Sequence, residues 1–112
     1  MIAALLLAAA VPPLFADGNA AYLAGDAGRA VAAYEALLAE GVESPELETN
    51  LGAAYLRQGR RGLAALHFER ALALSPGDDD ARADLNELRR TNVDKLEGAD
   101  ESAGRDALGH DV

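Results

Sequence analysis

The sequence predicts an all-α protein built of antiparallel helical hairpins. Half of its 112 residues are hydrophobic, yet only five are aromatic, and Ala and Leu supply most of the apolar volume. Both are strong helix formers. Apolar residues also recur at spacings of three and four, which is typical of one helix face. The chain further resembles itself at an offset of 34 residues, which indicates stacked helix pairs.

The internal repeat preserves residue size. Small residues face small residues across the offset, and large residues face large ones. The matched pairs are Gly18 with Gly52, Ala20 with Ala54, Gly25 with Gly59, Ala30 with Ala64, Tyr34 with Phe68, and Leu38 with Leu72.

Local signals predict where the helices of the second repeat begin and end. Ser44 is an N-cap, and Pro45 is suited to the first helical position. This helix is expected to run to about Gln58, with Gly59 just past its end. The following helix is expected over residues 62–74, where a Ser-Pro-Gly sequence stops it.

The first repeat and the last helix follow the same rules. Gly25-Asp26 is the predicted turn of the first repeat, and Gly41 is its stop. Asp78 is expected to cap a fifth helix, whose first turn carries further aspartates that favour its dipole. Calcium is the other interpretation of these aspartates, but the alternating ligands and final Glu of an EF-hand loop are missing.

The N-terminus is predicted to be a separate segment. Residues 2–11 form an apolar run that is too short to span a bilayer but has the length of a signal-peptide core. Residues 8–10 and Ala16 are candidate cleavage points, although no Lys or Arg follows Met1. Pro12-Pro13 predicts an extended break before the first domain helix.

The predicted organisation has three parts. They are a signal-peptide-like leader at 1–13, a helical domain at 14–97 and a disordered acidic tail at 98–112. The domain comprises repeat one at 14–43, repeat two at 44–77 and a capping helix at 78–97.

Composition excludes several functions. The formal net charge is −9, whereas nucleic acid and anionic membranes attract clusters of Lys and Arg. The chain has no cysteine, which excludes disulfides and thiolate chemistry. No serine lies in a Gly-x-Ser-x-Gly turn, and no phosphate loop precedes Lys95. The sequence thus predicts no enzyme activity, cofactor, metal site or small-molecule substrate.

A family resemblance covers about residues 14–96. Residues 50–59 (NLGAAYLRQG), followed by Ala64, Phe68, Ala71-Leu72 and Pro76, closely resemble the tetratricopeptide-repeat (TPR) signature. Glu48 stands where the family has a large aromatic, and Ala21 stands where a Tyr is usual. The resemblance implies a TPR-like α-solenoid of two helix-turn-helix repeats plus a C-terminal capping helix, which binds another protein.

A narrower resemblance concerns the whole arrangement. The apolar leader, the segments at 18–22, 34–38 and 50–52, and the long last helix look like the small TPR proteins of bacterial aerotolerance (Bat-type) gene clusters. Those proteins are exported or membrane-tethered. This likeness implies a periplasmic or envelope-associated protein, or a cytoplasmic one if the leader is no signal, with a membrane-complex subunit as a possible partner.

The resemblance also implies a binding groove, because the first helix of each TPR repeat lines a concave surface. Register carries the groove positions to Phe15, Asn19, Tyr22 and Leu23 in repeat one, to Glu46, Thr49, Asn50, Ala53, Leu56 and Arg57 in repeat two, and to Asp80, Ala83, Glu87 and Arg90 in the fifth helix.

The groove is expected to reject acidic ligands. Some TPR proteins hold an acidic chaperone tail with two asparagines and three basic residues. Register places Asn19 and Asn50 on the asparagine positions, but Phe15, Asp80 and Asp84 on the basic ones. The resemblance therefore implies a neutral or basic peptide or helix as ligand. The alternative for both asparagines is that they bond neighbouring helices.

For the remaining candidate residues, a purely structural role is the alternative to a functional one. Arg57, Arg60 and Arg61 could contact an acidic partner, or could only offset a helix dipole. His67, beside Phe68, is expected to be structural.

Two further functions stay open. The chain is a self-assembling subunit if the apolar face of Leu85, Leu88, Val93 and Leu96 is partly uncovered, or it is a fragment of a longer TPR scaffold.

Overall fold

The part of the chain that the structure describes consists of helices and turns and contains no strand. The computed structural model describes the backbone of residues 2–92 and the side chains of residues 13–92. Four helices precede a fifth, α5, which is described over residues 79–92. They are α1 (Ile2–Leu23), α2 (Ala27–Ala39), α3 (Pro45–Arg57) and α4 (Arg61–Leu74). The predicted all-α solenoid of two hairpins and an added helix is confirmed.

Three helix ends share one turn geometry. Gly25, Gly41 and Gly59 have φ values of 83°, 86° and 76°, a left-handed conformation that glycine adopts without strain. After α3, the Gly59 N–H donates to the Leu56 carbonyl and the Arg60 N–H to the Tyr55 carbonyl, both at 2.9 Å. The same pair of bonds closes α1 and α2. These Schellman ends confirm the predicted turns.

Side-chain caps begin the helices that the sequence marked. Ser44 Oγ accepts from the Leu47 N–H at 3.3 Å, with Pro45 at the first position of α3. Asp78 Oδ1 accepts from the Ala81 N–H at 3.1 Å and caps α5. Asp78 therefore serves as the cap of this helix, as predicted.

The repeat offset reflects a close contact between a glycine and an aromatic ring. A Cβ on Gly18 would lie 2.5 Å from Tyr34 Cε1, and a Cβ on Gly52 would lie 2.7 Å from Phe68 Cε1. Each glycine lets the second helix of its hairpin press a ring against the first. The core continues from these rings through the buried Leu37, Leu47, Leu51, Ala54 and Ala64.

Helix α5 covers the end of the second hairpin. Its apolar side chains Ala81, Leu85 and Leu88 are 0%, 3% and 2% exposed. The expectation that Leu85 and Leu88 lie partly uncovered was wrong, because both side chains belong to the buried core cluster of a single chain. Self-assembly of the chain stays a prediction. Val93 and Leu96, which belong to the same prediction, lie outside the described residues.

The prediction of an extended break at Pro12-Pro13 was also wrong. Helix α1 runs from Ile2 to Leu23 through both prolines. Proline's fixed φ suits a helix, but each ring removes one N–H from the hydrogen-bond ladder and crowds the carbonyl of the residue four positions before it. Helical turns on both sides maintain α1 across these gaps. The predicted tail at 98–112, and residues 93–97 of the capping helix, lie outside the described residues.

None of the helices in the described part of the chain combines the length and the apolar character that a membrane span requires.

Candidate peptide-binding groove

A cavity of about 570 Å³ opens between α1, α3 and α5. Helix α1 contributes three of its side chains, α3 three and α5 three, and Tyr34 reaches it from α2. The lining residues are Asn19, Tyr22, Leu23, Tyr34, Thr49, Asn50, Ala53, Asp80, Ala83 and Asp84. The odd-numbered helices thus form one wall, as the register argument expected.

The floor of the cavity is a small hydrogen-bond network. Tyr34 donates its hydroxyl to Asn19 Oδ1 at 2.5 Å, and Asn50 donates Nδ2 to the same oxygen at 3.2 Å. Burial raises the pKa of Tyr34, so it remains a donor at neutral pH. The two asparagines therefore do bond across helices. Among the described residues, Asn19 Nδ2 and Asn50 Oδ1 have no partner, which leaves one donor group and one acceptor at the cavity.

One end of the cavity is apolar. Leu23 is 84% exposed, which is unusual for a leucine, and Ala53 faces it from α3. Tyr22 is held in place because Arg57 lies 3.8 Å above its ring centroid and donates to its carbonyl at 2.8 Å. Arg57 therefore links α3 to α1 and covers one face of the Tyr22 ring.

The other end is acidic. Asp80 and Asp84 line the cavity, and Glu46 and Asp78 line an adjoining hollow that shares Asp80 with it. Burial raises the pKa of Asp84, and the negative charges of Asp80 and Asp78 raise it further. Within the described part of the chain, none of these four carboxylates forms an ion pair. This end of the cavity carries unbalanced negative charge.

Several predicted groove residues lie elsewhere. Phe15 packs on the core, with its ring centroid 6.0 Å from that of Tyr34. Leu56 and Glu87 line a separate hollow beside Asp84. Arg90 lies on α5, where its Nη2 is 2.7 Å from Glu87 Oε1.

Register reasoning missed Tyr34 as a cavity residue because it assigned the groove to the first helices only. The signal was present: an aromatic placed opposite Gly18 can reach through the hairpin to Asn19. Asp84, which register placed on one of the basic positions of the clamp, lines the cavity too.

The sequence of α3 and α4 also matches a known family. Residues 45–78 match the family model of the tetratricopeptide repeat. This segment is therefore similar to a tetratricopeptide repeat. Such repeats generally mediate protein–protein interaction and generally belong to scaffolds rather than to enzymes. A search of curated proteins found no match to this chain.

At Glu48 the chain departs from the tetratricopeptide-repeat pattern that it resembles, and a buried polar contact with His67 stands there. Glu48 and His67 are 5% and 3% exposed, and Glu48 Oε2 lies 2.6 Å from His67 Nδ1. Tyr55 stacks on the imidazole at 5.5 Å between centroids and donates its hydroxyl to Glu35 Oε1 at 2.6 Å. A buried polar pair therefore occupies the place of the large aromatic, and His67 is structural.

The arginines around the turn over residues 58–60 contact neighbouring helices. Arg60 lies 5.3 Å from the Tyr55 centroid. Arg61 donates to Asn92 Oδ1 at 2.5 Å and also to Thr91 Oγ1, and so ties α4 to α5.

In the described part of the chain, no three His, Asp or Glu side chains come together as a metal site.

Proposed function

We propose that this protein is an interaction module of the bacterial cell envelope, which binds a neutral or basic peptide or helix of another protein. The observation that carries the proposal is the cavity between α1, α3 and α5, lined by the face that TPR arrays use for ligands. Its lining combines apolar surface with unpaired polar atoms, as is usual for binding sites. The module acts by binding and requires no cofactor.

Charge supports this choice of ligand. The carboxylates of Asp80 and Asp84 lie where an acidic tail would need cations, so such a tail would be repelled. A neutral or basic segment meets no such barrier.

The envelope location rests on the leader. Cleavage near residues 8–10 would keep Leu14 and Phe15, which pack against the core. Cleavage after Ala16 would remove both and uncover Tyr34, which is 1% exposed. The proposed mature chain therefore starts close to Val11.

The binding proposal is tested by site-specific crosslinking in bacterial cells. A photoreactive benzoyl-phenylalanine replaces Ala53 inside the cavity, and in a matched control it replaces Ala73, which is exposed on α4. We expect a discrete crosslinked protein from position 53 only, reduced by Asn19→Ala together with Asn50→Ala. Equal crosslinking at both positions, or no dependence on the asparagines, would contradict the proposal.

The location is tested separately by cell fractionation and intact mass. The expected result is a periplasmic or membrane-associated protein whose mass lacks about the first ten residues, in the length range of a signal core. A cytoplasmic protein that retains Met1 would refute the envelope assignment and leave the groove proposal standing.

A further inference from the structure

The geometry points to an extended segment as the occupant of the cavity, with a Lys or Arg side chain between Asp80 and Asp84 and an apolar side chain against Tyr22 and Leu23. This inference rests on the proposed function and narrows it in two respects. It chooses an extended ligand over a helix, and it requires a cation at one end of the cavity.

The apolar end offers a ready contact for one side chain. Leu23 is 84% exposed, so covering it removes apolar surface from water. The Tyr22 ring beside it is already immobilised by Arg57, which lies 3.8 Å from its centroid. A ligand side chain therefore binds here without ordering a mobile ring, and this reduces the entropic loss of association.

The centre of the cavity favours an extended main chain. Asn19 Nδ2 and Asn50 Oδ1 have no partner within the described residues. An occupant that covers them must supply both an acceptor and a donor, since an unpaired buried polar group is unfavourable. An extended segment presents free C=O and N–H groups along its length, whereas a helix uses its own internally. A helix packed here would face both amide groups with backbone N–H and C=O groups that are already paired.

The acidic end requires a cation. Elsewhere on the described surface, Glu69 pairs with Arg89 at 2.8 Å and Glu87 with Arg90 at 2.7 Å. The carboxylates of Asp80 and Asp84 have no such partner, and an occupant of the cavity would strip water from them. Removing water from unpaired charges is costly, but a Lys or Arg of the ligand compensates it. Glu46 and Asp78 in the adjoining hollow add to the same attraction.

The test uses the full chain and a library of eight-residue peptides, acetylated and amidated so that the termini are uncharged. Peptides selected by the protein are sequenced, and dissociation constants are measured by fluorescence anisotropy for selected peptides and for their Lys→Gln versions. The expected selection contains Lys or Arg at one fixed distance from an apolar residue. Binding is expected to weaken as salt screens the charges.

Two charge-matched variants locate the contact. Asp80→Asn with Asp84→Asn is expected to weaken binding of the Lys peptides at least about tenfold. It should not affect their Lys→Gln versions. The control, Asp79→Asn with Glu40→Gln, removes the same charge from exposed positions outside the cavity. Circular dichroism confirms that both variants fold.

The outcomes separate this inference from the proposed function. Lys or Arg selection that depends on Asp80 and Asp84 supports it. Selection without charge preference, a preference for acidic peptides, or equal losses in the control overturns it, while the groove remains a peptide site. Binding only of peptides stapled as helices overturns the extended occupant. If no peptide binds, both this inference and the peptide-binding function fail.

Discussion

At the scale of single residues, Gly52 and Phe68 show why small and large residues recur at matching positions of the two repeats. Gly52→Ala would place a Cβ 2.7 Å from a ring atom of Phe68, which is 1% exposed and cannot move aside. We expect a net loss of about 1–2 kcal/mol, because overpacking outweighs the gain in helix propensity. Urea unfolding measures it.

Gly62→Ala is the matched control in the neighbouring helix. An added Cβ there meets nothing within 4 Å, so the substitution should stabilise the protein by up to about 1 kcal/mol. If both variants shift the urea midpoint in the same direction, the close-contact explanation is wrong.

The buried Glu48–His67 pair gives a second prediction at this scale. His67→Leu should destabilise the protein by about 3–5 kcal/mol, because it leaves the Glu48 carboxyl buried without a partner. Glu48→Leu with His67→Leu removes both polar groups and should recover most of that loss. A double-mutant cycle from urea unfolding gives the coupling. Additive losses in the cycle would show that the two side chains do not depend on each other.

The sequence could predict that His67 is structural but could not find its partner. Periodicity assigns each residue to a face of its own helix. Which residue of α3 meets which residue of α4 depends on how the turn over residues 58–60 sets one helix against the other. From the sequence, Glu48 could therefore be recognised only as a departure from the family pattern and not as the partner of His67. For the same reason, the sequence could not predict which side-chain atoms of Asn19 and Asn50 stay unpaired.

At the scale of elements, the contact between α4 and α5 depends on Arg61. Its guanidinium bonds Asn92 at 2.5 Å and Thr91, and reaches the Leu88 carbonyl at 3.4 Å. Arg61→Ala should lower the free energy of local opening of α5 by on the order of 1–2 kcal/mol, as expected for hydrogen bonds to a charged group. Amide hydrogen exchange of residues 85–92 measures this.

Arg70→Ala serves as the control for that change, since it removes an exposed arginine from the same helix α4. It should leave exchange in α5 unchanged. Equal effects of the two variants would mean that loss of arginine charge, and not loss of this contact, loosens α5.

Helix ends were the most predictable elements, and the region around Pro12 the least. Capping depends on a side chain and an N–H only three residues apart, as at Ser44 and Asp78, so local sequence suffices. Proline at the helix interior weakens a ladder without forbidding it. Whether α1 continues through Pro12-Pro13 depends on turns on both sides, and the local motif alone does not contain that information.

At the scale of the whole molecule, the two hairpins are joined partly by Tyr55 and Glu35. The Tyr55 hydroxyl donates to Glu35 Oε1 at 2.6 Å. Burial raises the pKa of Tyr55 to about 12, and the hydrogen bond and charge of Glu35 add to the effect. Its ordinary value is about 10. The folded state thus favours the neutral phenol, so this contribution is complete below pH 10 and lost as pH rises through about 12.

We therefore expect the free energy of unfolding to fall on the order of 1 kcal/mol between pH 9 and 11.5 in excess of the fall in Tyr55→Phe. Urea unfolding over this range measures it. Tyr22 and Tyr34 are present in both proteins and act as internal references. If the stability of the unchanged protein and that of Tyr55→Phe fall in parallel with pH, the pKa of Tyr55 is not raised.

The glycine–aromatic contact that recurs in both hairpins has a consequence for how this fold can change over generations. Each 34-residue unit carries its own glycine, its own ring and its own left-handed turn, and packs only on its neighbours. A tandem duplication of residues 44–77 would therefore carry with it the glycine, the aromatic ring and the turn that one hairpin needs. Chain length is the property that such an architecture can alter most freely, and each added unit would extend the groove by one more helix.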